Sequence, residues 1–309
     1  MAFDVFLFTN DSAISDRLIN ALDEQGVRVS TPMSVGLASA DESGFSLKVF
    51  KSELRSILKS LQPALIINLL PVGLFGKSTT YFKQSLAVVK LAALENIALL
   101  QESSHYGLEQ NQKHSLHKLY KELDRKVLQC EKSLLLRRGL LLDDTDSGML
   151  YQMCQAIFVQ NKTEFCDKPI ASPVAISDMA NVLCALVLQI IHGAQNWGEF
   201  SYCSADNLSE VELADVLTRL LQKAIAQNDA LNKLVFPSIL SQLADGDGLE
   251  ALKVTASEDA APVFESSSIF TDRRLTNDFG IQQISWRDNL ANRAIRIFKT
   301  FALERLATQ

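Results

Sequence analysis

Apolar residues in the first 140 positions fall into short, nearly unbroken runs, and helically spaced stretches separate those runs. Phe3-Asp4-Val5-Phe6-Leu7-Phe8 has strand length. Between Asp11 and Leu22, the residues Ile14, Leu18, Ala21 and Leu22 share one helix face. Gly26 stops that helix and Val27-Arg28-Val29 opens a second strand. After a Ser-, Ala- and Gly-rich loop over 31–46, an amphipathic helix covers 47–61 until Gln62-Pro63 breaks it. Ala64-Leu65-Ile66-Ile67-Asn68-Leu69-Leu70 is then a continuous apolar run of the kind buried on both faces of a parallel sheet. A helix over about 79–96, a strand over 97–100, a polar segment over 101–112, a helix over about 114–130 and a strand over 133–137 follow. The later chain predicts helices near 177–192 and 209–227, a strand near 200–203 and a last helix over about 286–306. The acidic, Ala-rich stretch 245–262 reads as loop. Alternating buried strands and helices predict an α/β fold with a doubly wound parallel sheet and a smaller mixed C-terminal region. We expect a first, Rossmann-like domain over 1–165 and a second region over 166–309 partly interleaved with it.

A strand–turn–helix–strand opening is the order used by nucleotide-binding folds, whose first turn carries glycines so that backbone can approach a pyrophosphate. Here the turn reads Thr9-Asn10-Asp11-Ser12-Ala13-Ile14-Ser15, without a glycine. Asp11 or Ser12 caps the helix, and Asp11 and Asp16 place negative charge where a phosphate would sit.

Composition narrows the classes. The 309 residues carry a net charge of −6, which argues against a nucleic-acid or anionic-membrane surface. Nothing approaches a membrane span, and the N-terminus lacks the pattern of a secretory signal, so a cytoplasmic protein is expected. Cys130, Cys154, Cys166, Cys184 and Cys203 are scattered and read as free thiols packed as small hydrophobes. His105, His114 and His117 cluster, but surface histidines at that spacing are common, so no metal is expected.

Several segments, in order, resemble the extended short-chain dehydrogenases, in particular the dTDP-4-dehydrorhamnose reductase branch. Gln62-Pro63-Ala64-Leu65-Ile66-Ile67-Asn68 is similar to that family's fourth-strand segment, which brings an asparagine to the cofactor site. Ser103-Ser104-His105-Tyr106-Gly107-Leu108 resembles its Ser-Thr-Asp-Tyr-Val-Phe segment. Asp167, Pro173, Asp178 and Ala180 match the start of the substrate region. Gly198-Glu199-Phe200-Ser201-Tyr202 with Leu208-Ser209, and Phe279-Gly280-Ile281 with Trp286-Arg287, match its later motifs.

The resemblance implies a cofactor site at Thr9, Asn10, Ser12, Ile14 and Asn68, and a catalytic Ser104 and Tyr120. The departures fall on those positions. Thr9, Ser12 and Ser15 stand where the family has glycines. The family's lysine, four residues after the tyrosine, lowers the tyrosine pKa and holds the nicotinamide ribose. Here that position is Asp124, whose charge would raise the pKa instead. Lys121 and Lys126 do not share the helix face of an offset of four. The family's Arg-Pro ahead of its last substrate segment is Phe264-Glu265 here.

Each residue also has a plainer reading. Tyr120 fits a half-buried helix tyrosine, and Ser104 and Asn68 can simply satisfy backbone groups. A rival motif, Gly76-Lys77-Ser78 after a buried strand with Leu140-Leu141-Leu142-Asp143 later, resembles a P-loop NTPase. Pro71 takes the place of that motif's first glycine and suits a phosphate cradle badly, which makes it the most distant reading.

The sequence therefore points to a catalytically weakened or non-catalytic relative that binds a ligand or acts as a regulatory, partner-binding module. Its expected partners are another protein, a second copy of itself or a nucleotide-sugar, with no nucleic acid and no membrane. No cofactor is expected on this reading. The alternative is an NADP-dependent reductase of a nucleotide-sugar.

Overall fold

The protein is described from a computed structural model covering residues 4–9, 12–37, 46–69, 78–104, 117–142, 148–158, 160, 162–227, 254–257, 259–261, 263, 273–287 and 290–307. The chain divides into two compact units. The first comprises residues 1–139, 176–203 and 270–283, and the second comprises 140–175, 204–269 and 284–309.

The first unit is built on β1 (Asp4–Phe8), α1 (Ser12–Glu24), β2 (Arg28–Ser30), α2 (Leu47–Leu61), β3 (Leu65–Asn68), α3 (Ser78–Leu94), β4 (Ala98–Ser104), α4 (His117–Val127) and β5 (Ser133–Arg138). It adds α5 (Ile176–Ile191) and β6 (Gly198–Tyr202). The six strands form one sheet in the order β6-β5-β4-β3-β1-β2, and every pairing is parallel. This is the doubly wound α/β sheet that the unalternated apolar runs predict. Its middle strands are buried on both faces, so Val5, Phe6, Leu7, Leu65, Ile66, Ile67, Leu99, Leu100 and Leu134 to Leu136 are all core. On one face, Phe50, Leu54 and Leu58 of α2, the apolar side of α3, and Tyr120, Leu123 and Val127 of α4 pack into a single cluster with Phe6, Ile66 and Leu135. The residue 200–203 strand joins this same sheet as β6, in register with β5 at Phe200 opposite Leu136.

Strand β4 differs from expectation. The polar segment expected from residue 101 onward is strand as far as Ser104, and Gln101, Glu102, Ser103 and Ser104 are all buried. Buried polar strand residues are tolerated when each finds a partner. Gln101 meets Asn68, Glu102 meets Arg138 and Ser103 meets Asp124.

The second unit gathers a core from the helices Met149–Phe158, Glu210–Gln227 and Leu290–Ala307, with Leu150, Met153, Phe165, Leu213, Leu217, Trp286 and Phe298. Short strands edge it, including Leu141–Leu142 alongside Val174–Ala175. The last helix begins at Leu290, not near 286; the Trp286 backbone N–H donates to Ser204 Oγ and the indole ring lies 4.5 Å from the Arg287 guanidinium, which fixes it in a turn before the helix.

Helix ends in the first unit reuse one device. Gly26 (φ +74) closes α1, with the Val27 N–H bonded to the Leu22 carbonyl, and Gln62 (φ +45) closes α2 with its N–H on the Leu58 carbonyl. A left-handed residue after a helix satisfies otherwise orphaned carbonyls and is least strained as glycine. Gly26→Ala should therefore cost about 1 kcal/mol through backbone strain alone, because nothing lies within 4 Å of an added Cβ. Gln62→Gly should stabilise by roughly 0.5 kcal/mol and so raise the urea midpoint, where Gly26→Ala lowers it. Equal midpoints for both variants and wild type would contradict this reading.

Candidate functional site

The carboxyl ends of parallel strands are where a doubly wound sheet places its chemistry. In the first unit these ends are Asn68 on β3, Gln101 to Ser104 on β4, and Arg137 and Arg138 on β5. All seven residues are buried. The Asn68 amide donates to Gln101 Oε1 at 2.6 Å and accepts from Ser85 Oγ at 3.4 Å, while the Gln101 amide donates back to the Asn68 carbonyl at 3.1 Å. Asn68 is thus consumed by its neighbours on β4 and α3.

One strand further, the side chains separate by strand alternation. Glu102 pairs with Arg138 on one face. Ser103 turns to the other face, where its hydroxyl donates to Asp124 Oδ1 of α4 at 2.6 Å. Arg137, directly opposite Ser103 in register, donates through Nη1 to Asp124 Oδ2 at 2.6 Å and through Nε to Glu199 Oε1 of β6 at 2.8 Å. The chain therefore runs Ser103, Asp124, Arg137, Glu199 across three adjacent strands and one helix. Burial pushes the Asp124 carboxyl above its ordinary range, opposed by the Arg137 charge and the Ser103 hydroxyl. Burial also works to lower Arg137, but the charges of Asp124 and Glu199 outweigh it and hold the guanidinium firmly protonated. The arginine is the fixed partner, and the geometry is that of an ion pair.

Three solved structures share this architecture. The dTDP-4-dehydrorhamnose reductase of Bacillus anthracis str. Ames, solved with NADP, matches with a TM-score of 0.60 at 13% identity over 97% of this chain and 99% of its own. The Bordetella bronchiseptica enzyme WbmH, solved with NAD+, matches at 0.66 and 15%, over 98% and 100%. GDP-mannoheptose C4 reductase of Campylobacter jejuni, solved with NADP, matches at 0.58 and 11%, over 96% and 98%. The chain shares the fold of these three proteins, which is the fold that the resemblance implies. No family model matches it, and no curated protein matches its sequence.

Tyr120 is 1% exposed and meets the Phe82 ring edge-on, with centroids 4.9 Å apart. Asp124, which the resemblance sets against the family's lysine, is bound to Ser103 and Arg137. It is Ser103, not Ser104, that meets α4; alternation sends the buried Ser104 side chain to the Glu102 face. Lys121 is exposed, and Lys126 donates to Gln129 at the helix end. Thr9 is half-buried after β1, and Ile14 and Ser15 are buried in α1. Asn10 and Asp11, His105 and His114, the 70–77 stretch of the P-loop-like motif, Asp143 and Phe264-Glu265 lie outside the described residues, as do the side chains of Ser12 and Ala13. Among the described residues no group of His, Cys, Asp and Glu is arranged to hold a metal, and no helix is long and apolar enough to cross a membrane.

Sequence reasoning missed Ser103, Arg137 and Glu199. The signal was present: Arg137-Arg138 closes an otherwise apolar strand, and a charge buried in a strand demands a partner of opposite sign.

Truncating one member of a buried pair leaves the other charge uncompensated. Asp124→Ala should cost about 3 kcal/mol, the low end for a broken buried pair, because Arg137 keeps Glu199. The apolar double variant Asp124→Leu/Arg137→Met should lie within about 1 kcal/mol of wild type. Removing the exposed Arg28–Asp4 pair should cost less than about 1 kcal/mol. Denaturant unfolding of the set checks this, and additive single and double effects at positions 124 and 137 would contradict it.

Proposed function

We propose that the protein is a catalytically weakened relative of the sugar-nucleotide short-chain dehydrogenases that works by binding a ligand or a partner protein. The observation that carries this reading is Asp124. The family resemblance asks for a cation one turn after Tyr120 on the same helix, so that phenolate is stabilised and the tyrosine can exchange a proton with a carbonyl carbon's oxygen. This chain puts a carboxylate there and ties it into the sheet through Ser103 and Arg137. Arg137 offers no substitute cation, because its guanidinium serves both Asp124 and Glu199. Two carboxylates against one guanidinium leave the cluster with the sign opposite to the one phenolate needs. Tyr120, packed edge-on against Phe82, serves as a core aromatic of α4.

A second reading is an NADP-dependent reductase of a nucleotide-sugar. It is favoured by the cofactors in the similar structures, NADP in the Bacillus anthracis and Campylobacter jejuni reductases and NAD+ in WbmH. On that reading Thr9, Asn10, Ser12, Ile14 and Asn68 would line the cofactor, and Ser104 and Tyr120 would face the substrate.

An assay on a panel of nucleotide-sugar 4-ketones with NADPH separates the two. Wild type, Tyr120→Phe and Asp124→Lys are all expected to be inactive, with Asp124→Lys also strongly destabilised by two cations in one buried site. Turnover by wild type that Tyr120→Phe abolishes would overturn the weakened-site reading and establish the reductase.

A further inference from the structure

We infer that the trough between α2 and α3 of the first unit binds an acidic, helical segment of a partner protein. The inference deepens the partner-binding reading above and rests on it. The trough has a volume of about 520 Å³ and is lined by Lys51, Ser52, Arg55, Ser56, Lys59 and Leu91.

Its chemistry follows from the spacing in α2. Phe50, Leu54 and Leu58 bury one side of the helix in the core. Lys48, Lys51, Arg55 and Lys59 then share the outer side at offsets of three and four. Glu53 is the single acidic residue of α2 and Glu95 pairs with Arg55, so Lys48, Lys51 and Lys59 leave the stripe with a net positive charge on a chain whose net charge is −6. Arg55 Nε is held by Glu95 Oε1 at 2.7 Å, which fixes one cation of the stripe against the end of α3. On α3, Leu91 forms the apolar floor, and Leu94, one turn on, is 62% exposed.

A small anionic ligand would need donors converging on one point within an enclosing pocket. Here the cations are strung along an open trough. From Lys48 to Lys59 is about 16 Å at the helical rise of about 1.5 Å per residue, and successive cations are about one turn apart. That spacing matches carboxylates placed one turn apart on a second helix, with an adjacent leucine over Leu91 and Leu94, which is the helix-in-groove mode of recognition. Ser52 and Ser56 add hydroxyls between the cations.

The test uses the full chain and a fluorescein-labelled 15-residue helical peptide with Glu at three successive i, i+4 positions, two leucines flanking them and alanine elsewhere. Fluorescence anisotropy should show saturable binding that weakens at least tenfold between 50 and 500 mM salt, as exposed charge pairing does. Lys51→Glu/Lys59→Glu should weaken it at least tenfold with an unchanged melting temperature. Bound peptide should also protect Lys51 and Lys59 from acetylation by an acetylating ester, read by mass spectrometry. Equal binding of the charge-reversed variant, equal binding of a peptide with Lys in place of Glu, or binding of a single-stranded oligonucleotide but not the peptide would each overturn the proposal. Reductase turnover with peptide binding intact would sink the weakened-site reading alone, and loss of peptide binding with turnover absent would sink this inference alone.

Discussion

The Arg137 guanidinium sits between two carboxylates from different elements, Asp124 of α4 and Glu199 of β6, with Ser103 of β4 completing the shell of the first. A buried cation is tolerable only with such company, since an isolated charge in the interior is far costlier than any single packing contact. The pairing therefore constrains four elements at once. Strand β5 must present Arg137 opposite Ser103, α4 must present Asp124 to both, and β6 must lie alongside β5 so that Glu199 reaches the other edge of the guanidinium. Glu102 and Arg138 repeat the arrangement on the opposite face of the same two strands. The carboxyl end of the sheet, which a doubly wound fold offers to ligands, is here stitched by its own side chains.

That substitution separates fold from chemistry. The frame is specified by apolar runs that bury on both sheet faces and by helix ends closed at Gly26 and Gln62, none of which depends on a cofactor. The positions that the family resemblance assigns to chemistry are, in this chain, bonded or packed within the fold. Asn68 is bonded to Gln101 and Ser85, Asp124 to Ser103 and Arg137, and Tyr120 lies against Phe82. A lysine introduced at 124 would meet Arg137 instead of a carboxylate, so the network opposes reversal by a single step.

The fold was largely legible because its signals are redundant. The central strands β1, β3 and β5 are runs of residues such as Leu65-Ile66-Ile67, and the helices packed on them carry several apolar residues on one face, so one exception changes nothing. Strand β4 shows where that logic stops. Gln101-Glu102-Ser103-Ser104 has the composition of a loop, and only the partners on β3, α4 and β5, distant in sequence, allow it to be strand. The site was legible in its departures, with Asp124 standing out against the resemblance. Its use was not, since the partner that decides what Asp124 does is Arg137, thirteen residues on and across an element boundary. Ser103 and Ser104 could not be told apart without the face that each takes in the strand.

On the reading proposed above, the polar positions of this fold hold the protein together instead of holding a nicotinamide cofactor at work. Titrating the full chain with NADPH and with NADH, following nucleotide fluorescence and melting temperature together, tests it most directly, because a bound ligand raises stability in proportion to its occupancy. No saturable signal and no shift in melting temperature are expected at micromolar nucleotide. A micromolar dissociation constant, equivalent to about −8 kcal/mol, with a matching rise in melting temperature would contradict it.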